Sequence, residues 1–248
     1  MSKHNAIPPE ALTWLAAWPH ARTLAVHGGA ALARRLLADG HTVFAMAADE
    51  PEVDRLRAAT GATPVWARPE ALPLDPWQFD VVLSHQGFHT MDLSSALPEI
   101  ARVLRPGGCL SASYIVRDDS VPWVRRLAAL LRHYDPVAMR GDYGHDSLKE
   151  LQGSKYFPEV EQRAFRIWQK VSLRNLQLLV ARQPLSARLD DAQRARLAAE
   201  VRELYVHSVR PGEQLRLPFQ LLCCRAWVSH EELTSPVTAP DTGIKIHV

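Results

Sequence analysis

Several ionisable side chains follow directly after short apolar runs of the sequence, where strands of a sheet would end. His27, Asp49, Glu70, His85 and His89 all occupy such positions. In open α/β sheets, ligands bind beyond the carboxyl ends of the strands, so we expect these five residues to surround one cleft. Imidazole titrates near neutrality and can act as a general base. The pattern therefore indicates a ligand-binding cleft with acid–base groups along its edge.

A glycine-containing turn separates the first predicted strand from the first helix of the sheet. The strand at Thr23–Val26 leads into the sequence HGGA at 27–30, and helix-forming residues continue from 31 to 38. Glycine lets a ligand approach the backbone, and the amide groups at a helix N-terminus face that ligand. This layout is typical of the first unit of a nucleotide-binding fold.

A second unit runs from Phe79 to Val116. The apolar, β-branched run Phe79–Leu83 is typical of a buried parallel strand, and apolar residues at helical spacing predict a helix over Leu93–Leu104. The Pro-Gly-Gly sequence at 106–108 then ends the helix and turns the chain into a strand at Cys109–Val116. Strand, helix and strand form a βαβ unit, which is almost always right-handed.

Sequence motifs in this region resemble those of a known family. The segment EIARVLRPGG at 99–108 resembles the E-x-x-R-V-L-R-P-G-G segment of class I S-adenosylmethionine-dependent methyltransferases. Upstream, EALPL at 70–74 and FDVV at 79–82 resemble the A-E-x-L-P and F-D-x-V elements of that family. The resemblance implies an α/β, doubly wound, mostly parallel seven-stranded sheet with helices on both faces and a C-terminal antiparallel hairpin. It also implies S-adenosylmethionine as the cofactor.

The positions that would hold this cofactor depart from the pattern of the family. Members carry an acid in the first strand, a G-x-G-x-G loop after it and an acid at the end of the second strand. This chain has Ala25 in the strand, a shorter loop that begins with His27, and two alanines at the second strand end. Asp49 could replace the missing ribose acid, or it could cap the next helix, as Asp often does. The cofactor-binding residues implied by the resemblance are His27, Gly28, Gly29, Asp49, Glu70, Ala71, Ser84 and His85.

Two histidines four residues apart, His85 and His89, are the candidates for a catalytic role. One of them could deprotonate a methyl acceptor. The pair could also bind a metal, but no third ligand accompanies it, and we expect no metal site. The alternative interpretation is that both belong to an aromatic-lined loop that covers the adenine. The sequence fixes no catalytic residue.

The pattern becomes irregular over residues 134–158, which predicts a lid-like insertion that shapes the acceptor site, because long ordered loops are usually functional. Tyr143, His145 and Tyr156 are the candidate substrate contacts in it, although each could equally be a turn or packing residue. We expect a single methyltransferase-like domain over residues 1–229. Residues 230–248 are rich in Thr, Pro and Ser, which predicts a flexible tail.

Composition and charge exclude several function classes. The 248 residues are 47% hydrophobic and 23% charged, which is ordinary for a globular domain. A formal net charge of +2 is not the large excess of positive charge that is typical of nucleic-acid-binding proteins. No stretch has the length of a membrane span and the N-terminus lacks a signal layout, so we expect a cytoplasmic protein without a membrane partner. The three cysteines cannot form a disulfide framework and indicate buried thiols.

These observations leave functions of different classes open. The first is an S-adenosylmethionine-dependent methyltransferase that acts on a small-molecule substrate. The second is a catalytically lapsed relative that serves as a binding or partner subunit. In its favour, all three departures from the family pattern lie at positions that would bind the cofactor. The third is binding of a different nucleotide or metabolite in the same cleft.

Overall fold

A seven-stranded sheet organises the part of the chain that the computed structural model describes, which is residues 7–138, 145–210 and 212–234. For residues 145–147 and 234 only the backbone is described. The strands are β1 (Arg22–His27), β2 (Thr42–Ala47), β3 (Thr63–Trp66), β4 (Phe79–His85), β5 (Leu104–Arg117), β6 (Glu159–Val171) and β7 (Leu215–Trp227). The helices are α1 (Pro9–Ala16), α2 (Gly29–Ala38), α3 (Glu50–Ala59), α4 (Leu93–Val103), α5 (Pro122–Tyr134), α6 (His145–Gln152), α7 (Leu173–Ala181), α8 (Asp191–Ser208) and α9 (Glu231–Thr234).

The strand order is β3-β2-β1-β4-β5-β7-β6. Strands β1 to β5 pair in parallel, whereas β7 runs antiparallel to both β5 and β6. This order confirms the predicted doubly wound fold with an antiparallel pair at its C-terminal edge. Helices α7 and α8 connect the two strands of that pair. The order reverses between β1 and β4, and such a switch point is where open α/β sheets bind ligands.

Helices cover both faces of the sheet because its central strands are apolar on both sides. Alternate residues such as Ala25 and Val81 pack against α1, α2 and α3, whereas Leu24 and Val82 pack against α4 and α6. A third apolar cluster joins α5, α7 and α8 near the carboxyl ends of β5 and β6. The core therefore holds the strand ends of the switch point from both faces.

The Pro-Gly-Gly turn is present, but it interrupts β5 and does not precede it. Phe79 pairs with Leu104 and Val81 pairs with Cys109, so residues 105–108 loop out opposite Asp80. A Cβ at Gly108 would lie 2.9 Å from the carbonyl oxygen of Asp80, which leaves no room for a side chain there.

Part of the predicted lid-like insertion is regular structure. Residues 145–152 form α6, where the sequence pattern had suggested an irregular segment. Leu151 on this helix and Phe157 after it are fully buried in the cluster that α4 forms with the sheet. The described part of the insertion is therefore a component of the core.

The first residues of the predicted tail are also anchored. The His230 Nε2 atom lies 2.9 Å from the carbonyl oxygen of Ala101 and 3.0 Å from that of Leu104, at the C-terminus of α4. Lys155 Nζ and Glu232 Oε2 are 2.7 Å apart. His230 and Glu232 thus contact the rest of the domain, and residues 235–248 of the predicted tail lie outside the described part of the chain.

A charged pair on α4 fixes the segment between β3 and β4. Arg102 donates to both carboxylate oxygens of Glu99 and to the carbonyl oxygens of Leu72 and Leu74, at distances between 2.7 and 2.9 Å. Glu99 in turn accepts the backbone N–H of Leu72. The arginine and glutamate of the E-x-x-R motif therefore hold the β3–β4 connection against the helix. The bond from Arg102 is also the main cause of a lowered pKa of Glu99.

We predict that Arg102→Ala lowers the free energy of unfolding by about 2 kcal/mol, because two carbonyl groups and a carboxylate lose their charged donor. The matched control is Arg57→Ala, which removes an ion pair with Asp54 on the surface. The side chain of Arg57 is 67% exposed and that of Asp54 is 70% exposed. We expect the control to change stability by less than about 0.5 kcal/mol. Urea denaturation measures both variants, and equal losses would contradict the proposed role of Arg102.

Candidate functional site

A cavity of about 490 Å³ opens at the carboxyl ends of the parallel strands, beside the switch point. Its walls come from the end of β1, the segment after β3 and the loop after β4. The lining residues are His27, Arg68, Pro69, Glu70, Thr90, Met91 and Asp92. Two of the residues predicted from the sequence, His27 and Glu70, are therefore brought together in one cavity.

His27 is the last residue of β1, and its ring bridges to β4 and to the loop beyond it. The register between β1 and β4 shifts between Ala25 and His27, so that His27 pairs with Ser84. The Nδ1 atom lies 3.0 Å from Ser84 Oγ, and the Nε2 atom lies 3.4 Å from Thr90 Oγ1. Burial is the main cause that lowers the pKa of His27 below its ordinary value. Burial therefore favours the neutral form of this imidazole.

The His27 ring also packs directly on Gly87. A Cβ atom at position 87 would overlap the Cβ, Cγ and Cδ2 atoms of His27, so the ring occupies the space that any side chain would need. Gly87 has φ −135° and ψ −7°, a conformation that other residues can adopt. The requirement for glycine at this position therefore comes from the histidine and not from the backbone.

The turn after His27 keeps an open space at the start of α2. Gly28 and Gly29 have φ of 120° and 59°, a region that favours glycine. A Cβ at Gly29 would have no neighbouring atom within 4 Å. Gly28 is the N-cap and offers no side chain to bond the first amide groups of α2. Those groups are consequently available to a ligand.

The predicted acid at the end of β2 has a structural partner. The Asp49 Oδ1 atom accepts the backbone N–H of Glu52 at 2.8 Å, and Glu52 accepts the N–H of Ala48. Asp49 is thus the N-cap of α3, which was the alternative interpretation of this residue from the sequence.

Glu70 connects two walls of the cavity. Its Oε1 atom accepts the backbone N–H of Asp92 at 3.0 Å, which ties the segment after β3 to the start of α4. The N–H of Ala71 donates to the carbonyl oxygen of Arg68, so Glu70 lies in a tight turn. Asp92 itself caps α4 and accepts bonds from Ser94 and Ser95.

The two candidate catalytic histidines have different environments. His85 Nδ1 lies 2.9 Å from Ser113 Oγ on β5, and burial lowers the pKa of His85 to about 4. His89 is exposed, and its ring centroid lies 5.7 Å from that of the buried Tyr114. Across the described ranges, no three His, Cys, Asp or Glu side chains are grouped to hold a metal ion.

Of the three predicted substrate contacts, Tyr156 has a described side chain, and it is not among the residues that line the cavity. Tyr156 precedes β6, and its carbonyl oxygen accepts the N–H of Ser229, which follows the end of β7. That position is at the amino ends of the parallel strands, whereas the cavity lies at their carboxyl ends. Tyr143 and the side chain of His145 lie outside the described part of the chain.

No helix among the described residues has the length and apolar character to cross a bilayer.

Sequence reasoning missed Gly87, Arg68 and Thr90. In the loop after β4, Gly87 lies between the two candidate histidines and Thr90 directly follows the second of them. Arg68 follows β3. Their position at the end of predicted strands was the available signal. Their roles depend on how three separate loops meet, which the pattern of a single segment does not contain.

We predict that Gly87→Ala lowers the free energy of unfolding by about 1–3 kcal/mol, because the added methyl group must displace the His27 ring. In a His27→Gly background the same substitution should have little effect, because the Cβ of residue 27, 2.7 Å from the added methyl group, is then removed together with the ring. A double-mutant cycle by urea denaturation measures this coupling. Equal effects of Gly87→Ala in both backgrounds would contradict the contact.

Known proteins resemble this chain in sequence. Residues 25–112 match the family model described as a methyltransferase domain. The uncharacterized methyltransferase Rv3342 of Mycobacterium tuberculosis is 40% identical over 136 residues, which are 54% of this chain and 56% of that protein. The uncharacterized methyltransferase C25B8.09 of Schizosaccharomyces pombe is 30% identical over 154 residues, 61% of this chain and 59% of that protein. The chain thus spans somewhat over half the length of the curated relatives it matches.

The fold has a match among solved structures. A structure from Anaeromyxobacter dehalogenans, provisionally described as a type II methyltransferase, superposes with a TM-score of 0.66 and 22% identity. The superposition covers 91% of this chain and 98% of that one. The matched segment 25–112 contains the second half of β1 and all of β2, β3 and β4, and the cavity lies at the carboxyl ends of these parallel strands. Residues 25–112 of this chain are therefore similar to the methyltransferase domain, and the likeness to the solved structure extends that similarity in fold to most of the chain.

Proposed function

We propose that the protein is an S-adenosylmethionine-dependent methyltransferase that acts on a small molecule. The observation that carries the proposal is the position of the cavity, which lies at the strand ends of the matched methyltransferase domain. Its volume of about 490 Å³ is in the ordinary range for small-molecule sites, about 300–1,000 Å³.

The loop after β1 fits the amino-acid end of this cofactor. The open space beside Gly29 and the uncapped amide groups at the start of α2 leave room and donors for a carboxylate. The fit is poorer at the ribose, because Asp49 is engaged as the cap of α3. We expect affinity to be lower than in proteins with an acid at that position, by about tenfold or more for each charge-assisted hydrogen bond that is missing.

The chemistry of methyl transfer is compatible with the side chains present. Bound S-adenosylmethionine supplies an electrophilic methyl group, and the protein has to hold the acceptor in line with it. His85 is a weak base, because burial lowers its pKa to about 4. We therefore infer that the protein contributes chiefly by positioning the reactants and not by proton abstraction through His85.

A second candidate function is that of a catalytically lapsed binding protein. The specific observation in its favour is the combination of an imidazole at the end of β1 with an acid that is used as a helix cap after β2. In this case a protein partner, and not a methyl acceptor, would be the functional ligand.

Calorimetric titration with S-adenosylmethionine and S-adenosylhomocysteine distinguishes the two functions. Under the first proposal we expect micromolar binding of both, followed by transfer of a radiolabelled methyl group to a member of a panel of small carboxylic acids and amines. No heat up to millimolar ligand, from a protein that shows a cooperative thermal transition, would overturn the methyltransferase proposal. The search would then turn to protein partners.

We predict that Asp49→Ala lowers the free energy of unfolding by about 1 kcal/mol, through loss of the helix cap, and leaves the affinity for S-adenosylhomocysteine unchanged. Asp49→Ser is the matched control, because it keeps a capping oxygen without the charge. Thermal denaturation and calorimetry measure the two properties. If both variants lose about tenfold in affinity, the carboxylate contacts the ribose and the cap is not its only role.

A further inference from the structure

The two edges of the sheet differ in how they are protected against pairing with another chain. One edge is β3, which has four residues and contains Pro64, a residue without a backbone donor. The other edge is β6, which has 13 residues, contains no proline and pairs with β7 along its whole length without a bulge. Natural proteins usually keep edge strands short or interrupt them with proline or bulges, because an unpaired edge recruits further strands. These protective features are present in β3 and absent from β6.

The outer edge of β6 is open in the part of the chain that the structure describes. No segment within the described ranges pairs with it. The backbone N–H and C=O groups that point away from β7 are therefore available to another strand. Most side chains of β6 are also exposed, including Trp168 at 47%, so the helices leave much of this strand uncovered.

The charged residues of β6 are sorted along the strand. The acids Glu159 and Glu161 stand at its start, and the basic residues Arg163, Arg166 and Lys170 follow. When two copies pair antiparallel, the start of each strand lies beside the later part of the other, so that opposite charges meet. A parallel arrangement in register would instead place like charges side by side. Charges on an edge strand often discourage pairing, but this order favours one arrangement with a second copy of the chain.

One register of the antiparallel pair brings acid and base directly opposite each other. A two-fold axis at Gln162 places Glu161 opposite Arg163 of the second copy, and the symmetry repeats this contact on the other side of the axis. Residues directly opposite each other share a face of the sheet, and Glu161 and Arg163 do so because they are two positions apart. An axis at either of these two residues would place it opposite its own copy.

Both members of this charge pair are able to make the contact. Arg163 is exposed, and its guanidinium group has no ion pair or hydrogen bond with a described residue. Glu161 is 49% exposed and accepts one bond from Arg225 and one from Trp227 within its own chain. Because a carboxylate has about four lone-pair sites, Glu161 keeps acceptor capacity for a second arginine.

We propose that two copies of this chain pair antiparallel through β6, about a two-fold axis at Gln162, so that their seven-stranded sheets join into one continuous sheet. The same surface of each copy forms the interface. Strands β5 and β7 separate β6 from β4, so the cavity beside β1 and β4 stays open in the dimer. The inference does not depend on the proposed function.

Sedimentation equilibrium of the full chain tests the association. We expect wild type to sediment at twice the chain mass of 27.7 kDa. Arg163→Glu replaces two attractive pairs by two repulsive ones and should weaken the dimer by about tenfold or more. The matched control is Arg126→Glu, which makes the same charge change at an exposed position of α5 and should sediment as wild type does.

Disulfide cross-linking tests the register. In Gln162→Cys the two introduced thiols lie directly opposite each other, with Cα atoms about 4.5–5.5 Å apart, which a disulfide can bridge. In Ala164→Cys, an exposed position on the same face, the two thiols are offset by four residues, or about 13 Å along the strands. Under oxidation by copper phenanthroline we expect a covalent dimer from the first variant and not from the second. The native cysteines are buried and should not react.

Three outcomes would overturn the inference. The first is a wild-type protein that stays monomeric at every concentration up to its solubility limit, as expected if another part of the chain covers this edge. The second is a dimer that Arg163→Glu does not weaken, although thermal denaturation shows the variant to be folded. The third is cross-linking of Ala164→Cys in preference to Gln162→Cys, because the charge pairs would then not face each other.

Discussion

The pairing of β1 with β4 is the constraint on which the rest of the site depends. The strand order reverses between these two strands, so their carboxyl ends stand apart from the helices that follow them and leave a space for a ligand. Apolar side chains bury both strands on both faces, which fixes their register. That register places His27 opposite Ser84. The side chain of His27 then leaves space only for glycine at position 87.

Much of this fold could be predicted from the sequence, because its determinants are local. The run Phe79–Leu83, the amphipathic helix after it and the Pro-Gly-Gly turn each specify their own conformation over a few residues. Helix α6 was not predicted, since it is short and lies next to a segment rich in glycine and aspartate. Its stability comes from burying Leu151 against distant parts of the chain, which periodicity alone does not report.

The site was predictable to a lesser degree. The rule that ligands lie at strand ends brought His27 and Glu70 to one cavity, because it depends only on strand direction. The role of Asp49 depended on whether its carboxylate pointed toward the cleft or toward the helix that follows it. The sequence was compatible with both orientations. The position of Tyr156 at the other end of the sheet could not be predicted, because nearness to an insertion in the sequence does not show at which end of the sheet the next strand begins. Contacts of Arg68 and Thr90 arise where separate loops meet.

The packing of His27 on Gly87 also has an evolutionary consequence. The two positions cannot change independently: a side chain at 87 becomes tolerable only after the imidazole at 27 has gone. A lineage that returns to glycine at the end of β1 is free to vary position 87, whereas a lineage that keeps histidine has to keep glycine there. The order of substitutions is therefore constrained: position 27 has to lose its side chain before position 87 can gain one.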